Sequence, residues 1–185
     1  CMVVEIMGHK VGWLGLYSGI AGNADVILLP EIPYDIKKIG KALKAKKAAV
    51  QNSFIVACSE GALDLEEAKL TKKEFKKLRE GMVQSVSFRV AKEIEAETGI
   101  ETRTSVLGYT QRGGDPSAYD MLLATQLGNA AADFLANKQF GNLVAVKGGE
   151  IVATPLSAVA GVVKTIPMDD SMLKTGRDLG ICFGD

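Results

Sequence analysis

The chain has few of the residues from which proteins build metal and covalent centres. Its 185 residues include one histidine, His9, and three widely separated cysteines, Cys1, Cys58 and Cys182. A single histidine cannot supply a metal cage that needs two, and cysteines without metal or disulfide spacing favour a reducing, cytoplasmic setting. No stretch approaches the roughly 20 apolar residues of a membrane span, and the first 30 residues lack a signal-peptide pattern. We therefore expect no membrane partner.

A surplus of positive charge is also absent. Lysine plus arginine and aspartate plus glutamate number 22 each, so the formal net charge is zero. Proteins that bind nucleic acid through its phosphates usually carry a basic surplus, so we expect no nucleic-acid partner, and a bound anion must meet a local cluster. The motifs G-x-G-x-x-G, G-x-x-x-x-G-K-[ST] and G-x-S-x-G are missing too. Their absence argues against a dinucleotide fold, a P-loop and a hydrolase nucleophile.

What the chain does contain is an alternation of strand-like and helix-like segments. Short runs rich in Val and Ile have the length of strands at 2–7, 25–29, 54–58 and 104–109. Between them, apolar residues recur at helical spacing over 11–21 and 35–47, and again through Val83, Val86, Val90 and Ile94 up to Gly99. This alternation indicates βαβ units. We predict an α/β fold whose mainly parallel sheet carries helices on both faces.

Several element ends have their own sequence signals. Thr71-Lys-Lys-Glu74 is a capping-box pattern, and Asp115 with Pro116 predicts the start of a helix that runs to about residue 136. Gly148-Gly149 predicts a tight hairpin between strands at 143–146 and 151–153. We also expect a helix capped by Thr154, and a last helix that is capped by Asp169-Asp170 and ends near Gly180.

Polar residues follow three of the predicted strands. His9-Lys10 follows the first strand, Glu60 follows the strand at 54–58, and Arg112 precedes Gly113-Gly114 after the strand at 104–109. Ligands of open α/β sheets gather beyond the carboxyl ends of the strands, and arginine binds phosphate with bidentate geometry. Together these residues would fit a phosphorylated polyol. From spacing alone, turn glycines, a solvated loop carboxylate and surface ion pairs stay open and together outweigh a ligand site.

At these residues the sequence resembles the 6-phosphofructokinase family. The resemblance begins with Val4-Glu-Ile-Met-Gly8, Gly12-Trp-Leu and Ser18-Gly-Ile-Ala-Gly22-Asn-Ala-Asp25. It continues in Ser59-Glu60-Gly61 and is most specific in Thr102-Arg103 followed by Val106-Leu-Gly-Tyr-Thr-Gln-Arg-Gly-Gly114. It extends from Val3 to about Gly128 and continues weakly to the end.

The resemblance implies a set of substrate contacts. Met7, Gly8, Glu60 and Arg112 stand where the family touches fructose 6-phosphate, and Arg103 stands where an arginine holds the 6-phosphate of a neighbouring subunit. Two positions depart from the family pattern. Tyr109 replaces a histidine near that phosphate, and His9 replaces an arginine that neutralises the transferred phosphoryl group. Asp25 matches an acidic position of the family's effector site.

The resemblance also implies what lies elsewhere. The phosphate-donor loop and the catalytic-base motif of the family, together with the ligands of the Mg²⁺ that accompanies ATP or pyrophosphate, belong to a half upstream of the first strand. We therefore expect a C-terminal portion of a glycolytic kinase that is inactive alone. We assign residues 1–112 to a sugar-phosphate lobe, 113–168 to a segment packing on the missing donor lobe, and 169–185 to a terminal helix and tail.

The family norm adds an expectation about assembly, a homodimer at least and commonly a homotetramer. A family member that uses pyrophosphate instead of ATP as the phosphoryl donor stays open as an alternative. A hypothesis of another class, motivated by His9 and Tyr109, is a non-catalytic subunit of the same fold that senses sugar phosphate.

Overall fold

A four-stranded parallel sheet forms the centre of the fold. The computed structural model describes residues 1–49, 51–81 and 84–185. Strands β1 (Met2–Ile6), β2 (Val26–Leu28), β3 (Ile55–Ser59) and β4 (Arg103–Val106) lie in the order β2-β3-β1-β4. All three strand pairs are parallel, with Met2 opposite both Ile55 and Arg103. The predicted α/β class is confirmed.

Seven helices and a hairpin complete the described part of the chain. The helices are α1 (Trp13–Ala21), α2 (Ile36–Ala48), α3 (Lys72–Glu80), α4 (Val86–Thr98), α5 (Ala118–Ala136), α6 (Leu156–Val159) and α7 (Ser171–Asp178). The hairpin joins β5 (Asn142–Lys147) to β6 (Glu150–Pro155). None of the described helices is long and apolar enough to cross a membrane.

Residues of alternate parity in the strands build two cores, one on each face of the sheet. Val3, Val56 and Cys58 face α2 and α4, where Ile39, Leu43, Val90 and Ile94 are fully buried. Ile27, Leu29 and Ala57 face α1 and α7, where they pack with Leu16 and Leu173. Because strand side chains alternate between faces, a buried parallel strand supplies both cores at once.

Helix ends follow the capping rules. The side chain of Asp35 accepts a hydrogen bond from the N–H of Lys37 at the start of α2, and Thr71 forms the predicted capping box with Glu74. Helix α4 ends at Gly99, whose φ of +67° is left-handed, and Asp170 caps α7 as predicted. Val83, the first residue of the predicted α4 stripe, lies outside the described residues.

Three predicted boundaries were wrong. Strand β4 ends at Val106 rather than at residue 109, because Gly108, with φ of +52°, turns the chain into a 3₁₀ segment at Gly108–Arg112. Helix α5 is capped by Ser117 in a capping box with Asp120, not by Asp115 with Pro116. Thr154 does not cap α6, because it pairs with Leu143 inside the hairpin.

The chain divides into two units. The first contains residues 1–111 and 164–185, and the second contains residues 112–163. The second unit holds α5, α6 and the hairpin, whose turn places Gly148 and Gly149 at positive φ as its sequence predicts. None of its residues is buried, and Leu122 and Leu135 of α5 are 67% and 66% exposed. The functional division at 112 and 168 that the sequence suggests stays a prediction.

The C-terminal residues close one edge of the sheet. The N–H of Ile27 donates to the carbonyl of Cys182 at 2.9 Å, and the N–H of Cys182 donates to the carbonyl of Asp25 at 3.0 Å. Phe183 is only 2% exposed in the core beneath α1 and α7. The tail therefore pairs with the otherwise open edge of β2, and its aromatic ring fills the core.

We expect Phe183→Ala to destabilise the protein by about 3–5 kcal/mol, because the substitution removes a buried ring and leaves a cavity. Urea unfolding followed by circular dichroism measures the change. The control is Leu179→Ala, whose side chain is 65% exposed, and its effect should stay within about 0.5 kcal/mol. Equal small effects of the two substitutions would show that the tail is not part of the folded core.

Candidate functional site

The first wall of the candidate site is the turn that follows β1. Gly8 and His9 both have positive φ, of +153° and +55°. A Cβ atom on residue 8 would lie 2.5 Å from the carbonyl oxygen of Val11, so only glycine fits there. This backbone directs the N–H groups of residues 8 and 9 toward the end of β3.

Glu60 joins this turn to the end of β3. Its Oε1 accepts hydrogen bonds from the N–H of Gly8 at 3.0 Å and of His9 at 2.6 Å. The next residue, Gly61, passes so close that a Cβ atom would lie 2.0 Å from the carbonyl oxygen of His9. The end of β1 and the end of β3 are therefore held together by the carboxylate of Glu60 and by the close contact of Gly61 with His9.

Gln111 joins the exit of β4 to the exit of β1. Its Oε1 accepts a hydrogen bond from the N–H of Met7 at 3.0 Å, and its Nε2 donates to the carbonyl of Gly108 at 3.2 Å. This side chain had no predicted role. Its position directly before Arg112, in a segment already singled out, was the signal that could have identified it.

These three exits enclose a cleft of about 250 Å³. Its lining residues all belong to the first unit: Glu5, Met7, Glu60, Val106, Gly108, Tyr109 and Gln111. Glu5 is 8% exposed, and its Oε2 accepts hydrogen bonds from the hydroxyl and the N–H of Ser87 in α4. The cleft thus combines two carboxylates, an amide and a phenol with the apolar side chains of Met7 and Val106, which suits a ligand with several hydroxyl groups.

The loop after Glu60 is anchored by two arginines that the sequence analysis missed. Arg79 donates to the carbonyl of Ala62 at 2.9 Å. Arg89 bonds Asp64 at 3.0 Å and the buried carboxylate of Glu67 at 2.7 Å. Nearby, burial and the facing Glu93 carboxylate raise the pKa of Tyr34, so this phenol stays protonated. Ion pairs therefore fix the conformation of the loop after Glu60.

The structure brings several of the predicted site residues together, but not all of them. Met7, Glu60 and Tyr109 line the cleft, and Gly8 and His9 contact Glu60 through their backbones. Arg103 lies at the opposite end of β4, beside Met2, where it is exposed and paired with Glu101 at 2.6 Å. Arg112 follows Gln111 directly and is the first residue of the second unit.

Asp25, the predicted effector residue, is held by an internal ion pair. Its Oδ1 accepts hydrogen bonds from Lys46 Nζ and Gln51 Nε2, both at 2.8 Å, and its Oδ2 accepts one from the N–H of Ile55 at 2.9 Å. Burial raises the pKa of this carboxyl, but the hydrogen bonds from Lys46, Ile55 and Gln51 outweigh burial and hold the pKa below its usual value.

The described residues hold no group of three or more His, Cys, Asp and Glu side chains placed to bind a metal ion.

Comparison with known proteins identifies the family. The phosphofructokinase family model matches residues 1–135. The ATP-dependent 6-phosphofructokinase of Spirochaeta thermophila is 49% identical over 185 residues, which are 100% of this chain and 50% of that protein. ATP-dependent 6-phosphofructokinase 3 of Bacteroides thetaiotaomicron is 45% identical over 183 residues, 99% of this chain and 50% of that protein.

Solved structures agree with this match. The structure of a pyrophosphate-dependent phosphofructokinase from Nitrosospira multiformis superposes with a TM-score of 0.72 at 22% identity, covering 100% of this chain and 48% of that one. At that identity the likeness concerns the fold alone. The chain belongs to the phosphofructokinase family, and it spans about half the length of the curated relatives it matches.

We expect Asp25→Asn to destabilise the protein by about 1–3 kcal/mol at pH 7, because Lys46 loses its charged partner. The folded pKa of Asp25 is lowered, so its contribution is complete above the unfolded value of about 3.9 and is lost as the pH falls through the folded value. Urea unfolding of both proteins between pH 7 and pH 3 measures the difference. A difference that stays constant down to the lowest pH would contradict the ion pair.

Proposed function

We propose that this chain is the sugar-phosphate-binding, C-terminal portion of a glycolytic kinase that transfers a phosphoryl group from ATP to fructose 6-phosphate. The observation that carries the proposal is the cleft in which Met7, Glu60 and Tyr109 meet from three separate strand exits. The names of the relatives, which are ATP-dependent 6-phosphofructokinases, support the substrate and favour ATP over pyrophosphate as the donor. Three free cysteines support a cytoplasmic setting.

In this proposal the residues of the cleft bind and orient the sugar. The carboxylate of Glu60 accepts hydrogen bonds from sugar hydroxyls, and the Met7-Gly8 backbone lies against the ring. Arg112 supplies the bidentate cation for phosphate. His9 and Lys10 lie on the turn after β1, where a positive charge would stabilise the transferred phosphoryl group. The imidazole of His9 would do so only in its protonated form.

The donor and its Mg²⁺ belong, in this proposal, to the half of the protein that this chain lacks. Mg²⁺ bound there would supply positive charge to neutralise the phosphates of the donor, and a base on the same half would accept the proton of the attacking hydroxyl. We propose that 113–168 packs on that half, because Leu122 and Leu135 of α5 expose apolar surface. The chain alone should bind sugar phosphate without turnover.

The position of Arg103 supports a shared site and hence a homo-oligomer. Arg103 lies at the end of β4 opposite to the cleft of its own chain, so a sugar phosphate that it contacts would have to lie in the cleft of another copy. We propose a homodimer at least, with a tetramer as the expected form. Each sugar phosphate would then meet Arg112 of one copy and Arg103 of a neighbour.

We expect Arg112→Ala, in the complete enzyme that contains this chain, to raise the KM for fructose 6-phosphate about 10- to 100-fold. A charged hydrogen bond to phosphate is worth about 1.5–3 kcal/mol, which sets this range. Steady-state assays with ATP, and separately with pyrophosphate, measure the change. The control is Arg177→Ala, which removes an arginine paired with Asp185 and should leave KM unchanged. An unchanged KM for Arg112→Ala would contradict the assignment, and turnover with either donor would exclude a sensor subunit.

The shared site has its own test. Arg103→Ala and Arg112→Ala should each be impaired alone. Co-expression should restore part of the activity, because a mixed oligomer contains clefts with Arg112 from one copy and Arg103 from the other. Activity of the co-purified mixed oligomer measures the rescue. Mixed oligomers that are no more active than the average of the two variants would show that Arg103 acts within its own chain or not at all.

A further inference from the structure

Glu5 is a buried carboxylate that lines the cleft and has no role in the proposed function. It lies on β1, where the alternation of the strand turns its side chain toward α4 rather than toward solvent. It is 8% exposed, and it lines the same cleft as Met7, Glu60 and Gln111. Because a buried carboxylate is costly unless it is hydrogen-bonded, its position in a parallel strand calls for a physical reason.

One half of this carboxylate anchors α4. Oε2 accepts the hydroxyl of Ser87 at 2.5 Å and the N–H of the same residue at 3.3 Å. Ser87 lies in the first turn of a 13-residue helix, where the helix dipole favours a negative charge. Both hydrogen bonds that the described residues make to Glu5 go to Oε2. Oε1, for which the described residues supply no donor, can accept a hydrogen bond from a group that enters the cleft.

The charges of the cleft indicate what that donor is. The residues that line the cleft include the carboxylates of Glu5 and Glu60 and no lysine or arginine. These two negative charges disfavour a phosphate group close to them, whereas a hydroxyl can donate a hydrogen bond to a carboxylate. Building on the proposed function, we infer that Glu5 is a specificity-determining residue whose Oε1 accepts a hydrogen bond from one hydroxyl of the bound sugar, while Ser87 holds it in place.

The test is a double-mutant cycle between Glu5→Gln and the monodeoxy analogues of fructose 6-phosphate. Isothermal titration calorimetry measures the Kd of each analogue for the complete enzyme and for the variant. Gln keeps the shape of the side chain and can still accept from Ser87, but it presents an N–H₂ donor to the cleft in place of an acceptor. We expect fructose 6-phosphate to bind the variant about 10- to 100-fold more weakly. One analogue, lacking the contacted hydroxyl, should bind both proteins alike.

Two variants separate this role from a structural one. Glu31→Gln alters a carboxylate outside the cleft that accepts backbone N–H groups of Gly12 and Ile166, and it should bind every analogue as the parent does. Ser87→Ala keeps the carboxylate and removes its anchor, so its loss of affinity should be smaller and should centre on the same analogue. If Glu5→Gln does not fold, Glu5→Asp, one methylene shorter, replaces it in the cycle.

The outcomes distinguish this inference from the proposed function. If the unaltered enzyme binds fructose 6-phosphate and Glu5→Gln weakens every analogue equally, or none, Glu5 only anchors α4 and the inference is wrong, while the proposed function stands. If the unaltered enzyme does not bind fructose 6-phosphate, the proposed function fails and the inference fails with it. Coupling to a single hydroxyl supports both.

Discussion

The carboxylate of Glu60 is the contact on which the candidate site depends. It accepts two consecutive backbone N–H groups of the turn after β1, so it ties the ends of two adjacent strands into one surface. The bond needs a turn with positive φ at Gly8 and His9, and it needs the loops to approach as closely as Gly61 allows. A side chain at residue 61 would push the loops apart and open the cleft. Hydrogen bonds to a charged acceptor are about twice as strong as neutral ones, which suits a contact that fixes the geometry of two loops.

Charge elsewhere in the first unit reinforces this contact. Arg79 and Arg89 hold the loop that leaves Glu60, and they meet the carboxylate of Glu67, whose side chain is 3% exposed. A buried ion pair adds little net stability over an apolar substitute, but removing one partner typically costs about 3–5 kcal/mol. Such a network therefore serves to fix one loop conformation rather than to raise overall stability. These arginines hold the loop that follows Glu60, and the turn of residues 8 and 9 holds the side chain of Glu60 itself.

Local signals in the sequence were enough to predict the sheet, most helix ends and part of the site. The caps at Asp35 and Thr71 and the stop at Gly99 depend on neighbours a few residues away, so they are visible in the sequence. The hydrogen bond from Met7 to Gln111 joins residues 104 positions apart, and only the register of β1 with β4 brings them together. Glu5 escaped notice because an acidic residue in a strand resembles a solvent-facing position. Strand β4 was drawn too long because an apolar run continues past Val106, where the positive φ of Gly108 ends the pairing.

The distribution of charge around the cleft also favours one orientation of the proposed ligand. Glu5 and Glu60 place negative charge in the lining of the cleft. The arginines that we propose to bind phosphate are Arg112 and, from another copy, Arg103. A like charge about 4 Å away costs about 4 kcal/mol at an effective dielectric constant of 20, so a phosphate group beside these carboxylates is unfavourable. In the proposed function, the hydroxyls of the sugar phosphate therefore lie against the two carboxylates, and its phosphate lies toward the arginines. In the proposed function the carboxylates come from one copy and Arg103 from another, so the binding of sugar phosphate would depend on assembly.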